Sequence, residues 1–88
     1  MADKSFEMEV DGSILEFDGR VFEIFGDSEH GSVRFLAAHM AISEYERKGK
    51  ITLTFSGGIG VQVAFPEEQA ADARRAVETL VAAGATKR

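Results

Sequence analysis

The sequence predicts a mainly β domain closed by one C-terminal α-helix. Three observations carry that expectation. Residues 51–65 alternate apolar and polar around a glycine turn, the period of strands with one buried face. Asp-Gly pairs stand between short alternating runs at 11–12 and 18–19, a hairpin signature because type I′ turns need positive φ at both central residues. Residues 66–84 hold an amphipathic stretch that opens on proline and ends on glycine, the start and stop of a helix.

Taken in order, residues 1–4 are expected to be a frayed end. Phe6, Met8 and Val10 alternate with Glu7 and Glu9 as a first half-buried strand, and Leu15 and Phe17 alternate with Glu16 and Asp18 as a second. Residues 20–25 form a third, apolar on both faces, with Phe22 and Ile24 opposed to Val21 and Phe25. A polar, glycine-bounded loop follows at 26–32. Residues 32–40 read two ways. Val33, Phe35 and Ala37 alternate as a strand, while the run from Leu36 to Met40 has helical propensity. Strand is favoured, with a bulge or turn near His39. Residues 42–48 form a fifth strand, read as an exposed edge guarded by charges. Ile51, Leu53 and Phe55 give the sixth strand, and Val61, Val63 and Phe65 the seventh. Seven strands at intervals of roughly 8–12 residues suggest an antiparallel barrel or sandwich. Pro66 starts the helix, and Ala70, Ala73, Val77, Leu80, Val81 and Gly84 share its apolar stripe. Gly84 is its natural C-terminal stop. Residues 85–88 are read as tail. The chain is thus one domain, residues 1–88, with strands roughly over 5–65 and the helix roughly over 66–84.

Composition bounds the function. A chain of 88 residues buries only about 60–65% of its unfolded surface, and seven Phe supply much of the core. There is no Cys, so disulfide staples and thiolate metal sites are excluded, which fits a reducing, cytoplasmic setting. No apolar run approaches the roughly 20 residues of a membrane-spanning helix, and the first residues carry no apolar leader core. The net charge is −5. Residues 1–30 hold nine acids and two bases, and residues 31–88 six acids and eight bases. An acidic first third argues against nucleic acid, whose recognition needs clustered Lys and Arg.

Each candidate chemistry has a simpler reading. His30 stands beside Asp27, Ser28 and Glu29, a set from which a cation site or a Ser–His–Asp triad can be written. Neighbours in one loop rarely converge on a metal or on nucleophile–base geometry, so neither metal nor catalytic residues are expected. His39 is read as a strand-end residue. The run Ser56-Gly57-Gly58-Ile59-Gly60 resembles a phosphate loop but leads into a strand, not a helix. Glu7 with Glu9, and Glu44 with Glu46, share strand faces that alternation turns to solvent. Arg47, Lys48, Lys50, Arg74 and Arg75 lack the interleaved aromatics of a nucleic-acid surface.

The segment AISEYERKGKITLTFSGGIGVQVAFPEEQAADARRAVETLVAA resembles the closing half of a pleckstrin-homology-like (PH-like) domain: strand, strand, strand, capping helix. FDGRVFEIF is similar to the strand–turn–strand entry of bacterial PH-like domains. The resemblance covers nearly the whole chain. It implies a PH-like barrel of about seven antiparallel strands in two near-orthogonal sheets, one end plugged by the helix. It also implies that the loops of the opposite end bind partners. Here those loops hold Asp11, Gly12 and Ser13, then Glu29 and His30, then Gly57 and Gly58. Phosphoinositide-binding members carry Lys and Arg around the first hairpin; Glu9, Asp11 and Glu16 stand there instead, so no phosphoinositide binding is expected. The tryptophan common in the helix of eukaryotic members is also absent, leaving its packing to Val77 or Leu80. The expectation is a non-enzymatic module without cofactor that binds a protein or peptide, or self-associates as a homo-oligomer. The alternative is a carrier holding a small molecule or lipid between helix and sheet.

Overall fold

A computed structural model describes residues 5–26 and 32–88. Two four-stranded sheets and one α-helix make up the fold. The first sheet is a meander, β1 (Phe6–Val10), β2 (Ser13–Phe17), β3 (Val21–Phe25) and β4 (Ser32–Leu36), paired antiparallel in chain order. The second contains β5 (Ala41–Arg47), β6 (Lys50–Ser56) and β7 (Gly60–Phe65) as a further meander. Helix α1 (Ala70–Ala82) follows, and β8 (Thr86–Lys87) returns to pair parallel with β5.

The Asp11-Gly12 turn forms as its residues predict, whereas of the Asp18-Gly19 pair only Gly19 has positive φ. Asp11 has φ 49° and Gly12 φ 84°, and Lys48 and Gly49 have 54° and 82°. Both hairpins therefore turn on two residues of positive φ, the type I′ pattern that matches strand twist. At the β2–β3 turn, Oδ1 of Asp18 accepts the amide hydrogens of Arg20 and Val21 at 2.9 and 2.8 Å. Those two bonds hold the Asp18 carboxyl below the usual aspartate range, since they favour its charged form.

Alternation sends Leu15, Phe17, Phe22, Ile24, Ile51, Leu53, Phe55 and Phe65 into one core, all at most 4% exposed. Phe22 is its centre. Its ring lies 4.8 Å from Phe55 of the other sheet, 6.0 Å from Phe6 and 6.3 Å from Phe35. Offset and tilted pairs of this kind add to the area they bury. Among the described residues no polar or charged residue is buried.

Four expectations need correction. The two sheets do not close into a barrel; β1–β4 and β5–β8 remain separate hydrogen-bonded sets. The ambiguous stretch, by contrast, follows the favoured reading, with strand to Leu36 and a 3-10 turn at Ala37–His39. The Ala37 amide bonds the Arg20 carbonyl at 3.0 Å as the last rung of the β3–β4 ladder, and the chain turns off the sheet beyond it. Pro66 stays extended (ψ 164°), and a 3-10 turn at Glu67–Gln69 precedes the α-helix, so the helix begins later than its proline suggests. Within it Ala73, Ala76, Val77 and Leu80 are buried, whereas Val81 is turned to the surface.

The fourth correction concerns residues 85–88, which are no tail. Gly84, with φ 117°, ends the helix. Its amide bonds the Val81 carbonyl at 3.0 Å and that of Ala85 bonds Leu80 at 3.0 Å, the paired bonds of a Schellman stop. A Cβ at Gly84 would also lie 3.2 Å from the Ala38 Cα. The reversal lays Thr86 and Lys87 beside Ala41 and Ile42. β5 is therefore covered at its start and is not simply an edge strand.

Candidate functional site

The residues singled out from the sequence separate into distinct neighbourhoods. Asp11 and Gly12 are exposed at the tip of the β1–β2 turn, and Ser13 opens β2 half-buried. A Cβ added at Gly12 would meet nothing within 4 Å, so this tip is free of the rest of the fold. The register places Phe25 and Ser32, the flanks of the β3–β4 connection, at the same end of the sheet. Glu29 and His30, with the metal and triad readings built on them, lie outside the described residues. Gly57 packs elsewhere. A Cβ there would stand 3.1 Å from the Phe35 ring and 3.3 Å from the His39 carbonyl oxygen. Gly57 and Gly58 thus adjoin the 3-10 turn where the chain leaves β4, and with Thr86 and Arg88 they border an open, polar depression.

Among the described residues, no three of His, Asp and Glu are grouped to hold a metal ion. The one carboxylate among the described residues shifted from its ordinary value, Asp18, is spoken for by the two turn amides.

Besides the open edges of β1, β4 and β7, two surfaces can hold another molecule. One is the outer edge of β5. The amides of Thr86 and Arg88 donate to the carbonyls of Met40 and Ile42 at 3.0 and 2.8 Å. By alternation, Glu44 and Glu46 direct their main-chain groups to that same side, and among the described residues they have no backbone partner there. Their side chains are tethered, Glu44 to Lys87 and Glu46 to Arg74, each at 3.5 Å. Exposed pairs of this sort contribute little, so they do not lock the edge. The sequence indicated an edge here from its charges but gave no sign of how far β8 would cover it.

The other surface is the pair of outer sheet faces. Register sets Glu7 opposite Glu16 and Glu16 opposite Glu23, with Glu9 opposite Ile14 and Ile14 opposite Phe25. Arg34 bonds Glu23 at 3.0 Å from the neighbouring strand. On the second sheet the outward positions include Tyr45 opposite Thr52, and Arg47 opposite Lys50. The glutamates are legible in the sequence as solvated positions; that they form a row across three strands follows only from the register.

The fold defines the class, a two-sheet β protein with one C-terminal helix and a short returning strand. No helix among the described residues is long and apolar enough to cross a membrane. No family model, curated protein or solved structure matches this chain.

Proposed function

We propose that this domain is a non-enzymatic PH-like interaction module that takes an extended protein segment as an added strand along β5. One observation carries the reading: β8 pairs with only Ala41 and Ile42 of the seven-residue β5. The donors and acceptors of Glu44 and Glu46 are left as a template, and main-chain bonding along such an edge supplies affinity without a deep pocket. The order of four strands, three strands and a helix supports the PH-like part of the proposal. The carrier alternative is less favoured. Ala73, Val77 and Leu80 belong to the same buried cluster as Leu53 and Phe55, so apolar side chains fill the space between helix and sheet.

The test uses a displayed library of short peptides selected on the whole chain, followed by Glu46→Pro. Proline removes an amide that the β5–β6 ladder does not use and blocks the open edge. Selected peptides are expected to slow hydrogen exchange at the Glu44 and Glu46 amides and to bind the variant at least about tenfold more weakly, a loss of about 1.4 kcal/mol. Peptides that bind Glu46→Pro as tightly as the wild type would overturn strand addition.

A further inference from the structure

The outer faces of the two sheets carry opposite charge. On the first, Glu7, Glu16 and Glu23 stand side by side across three strands, Glu9 lies one row away, and Arg34 is the cation paired to Glu23. On the second, the outward positions of β5, β6 and β7 hold Tyr45, Thr52, Thr54 and Gln62 together with Arg47 and Lys50, and no acid.

Like charges directly opposite one another across strands cost stability. Glu16 has a glutamate on both sides, and Arg47 faces Lys50. Keeping these faces wetted does not require such pairs, because neutral polar residues would serve. Each face's repulsion would be relieved by the other face. Both also expose large apolar surface. Ile14 and Phe25 are cross-strand neighbours at 39% and 37% exposure, and Tyr45 is 62% exposed. An amphipathic ring flanked by cations suits docking on an apolar pair flanked by glutamates.

We infer that copies of this chain stack on one another through these faces, the β1–β4 outer face of one copy against the β5–β7 outer face of the next. The contact joins two different surfaces, so a stack of any length keeps one free face of each kind, at its two ends, until a ring closes. It uses the flat faces rather than the β5 edge, and it stands apart from strand addition.

The experiment is size-exclusion chromatography with light scattering on the full chain over a range of concentrations. Two charge-reversed variants are compared, Glu9→Lys/Glu16→Lys and Arg47→Glu/Lys50→Glu. The wild type is expected to gain mass with concentration and to lose it in high salt. Each variant alone is expected to associate at least about tenfold more weakly. An equimolar mixture is expected to regain mass, because each variant keeps the face the other lacks and the two reversed faces are again of opposite charge. Neither misfolding nor a symmetric dimer produces that pattern. Circular dichroism checks the fold, and Glu9→Lys/Glu16→Lys is expected to melt no lower than the wild type, since its change relieves the glutamate row. A wild type of single-chain mass throughout, a mixture that remains single-chain, or a variant that assembles like the wild type would each overturn stacking. So would a single-chain wild type that instead binds a lysine-rich peptide through Glu9 and Glu16. Glu46→Pro should assemble normally, so failure of stacking and failure of strand addition are read separately.

Discussion

In the first sheet, Leu15, Phe17, Phe22 and Ile24 turn inward while Glu7, Glu16 and Glu23 turn outward. In the second, Ile51, Leu53, Phe55 and Phe65 turn inward while Thr52, Thr54 and Gln62 turn outward. The inner faces are interchangeable in kind, large apolar side chains meeting across one core. The outer faces share almost nothing. The inner side of a strand answers to packing, which accepts only a narrow range of volumes. The outer side answers to solvent and partners, which accept many residues. A charge asymmetry on the outside is therefore informative in a way that the shared inside is not.

The largest expected effect breaks what the sheets have in common. Phe22→Ala removes the ring that contacts Phe6, Phe35 and Phe55, and it should cost about 3–5 kcal/mol in denaturant unfolding. A loss under about 1 kcal/mol would mean the two inner faces do not share one centre. A smaller effect sharpens the difference between the outer faces. Glu16→Gln removes two like-charge neighbours, so stability should rise by about 0.2–1 kcal/mol at low salt, and the gain should shrink as salt screens the row. An unchanged unfolding midpoint would show that the row carries no strain. The smallest concerns the β2–β3 turn, for which the second sheet has no equivalent. The Asp18 carboxyl is held below its ordinary range by the Arg20 and Val21 amides, so the unfolded chain takes up its proton first. The contribution is present above the unfolded aspartate value, about 3.9, and is lost as pH falls through the lower folded value. Asp18→Ala should therefore lower the melting temperature at neutral pH, with the difference closing in acid; a constant difference across pH would assign it to the turn alone.

Much of this architecture was legible in the chain. The alternating runs and the Asp-Gly pairs placed the first seven strands, because period two and positive φ are local requirements. What escaped was set by distant contacts. Thr86 and Lys87 carry no alternation; they form a strand because the Gly84 reversal delivers them to Met40 and Ile42. The chain turns off the sheet after the Ala37 amide's bond to Arg20, a last rung that only the register of β3 on β4 defines. Val81 looked inward on a helical wheel, but the axis is rolled so that Ala76 takes the buried place. Of the candidate site, the charged edge at β5 could be read from residues 42–48. The juxtaposition of Glu7, Glu16 and Glu23 could not, since it depends on a register between three strands.

The contact between Phe22 and Phe55 has a kinetic consequence. Within each sheet the antiparallel neighbours follow one another in sequence, β1 to β4 and then β5 to β7. Hairpins of this kind close in about 1–10 μs, so each meander can gather locally before it meets the other. The ring pair joins residues 33 positions apart across the two halves, and the entropy of that closure must be met before its contacts reward it. Docking of the two sheets is therefore expected to be slower than closure of the hairpins within them.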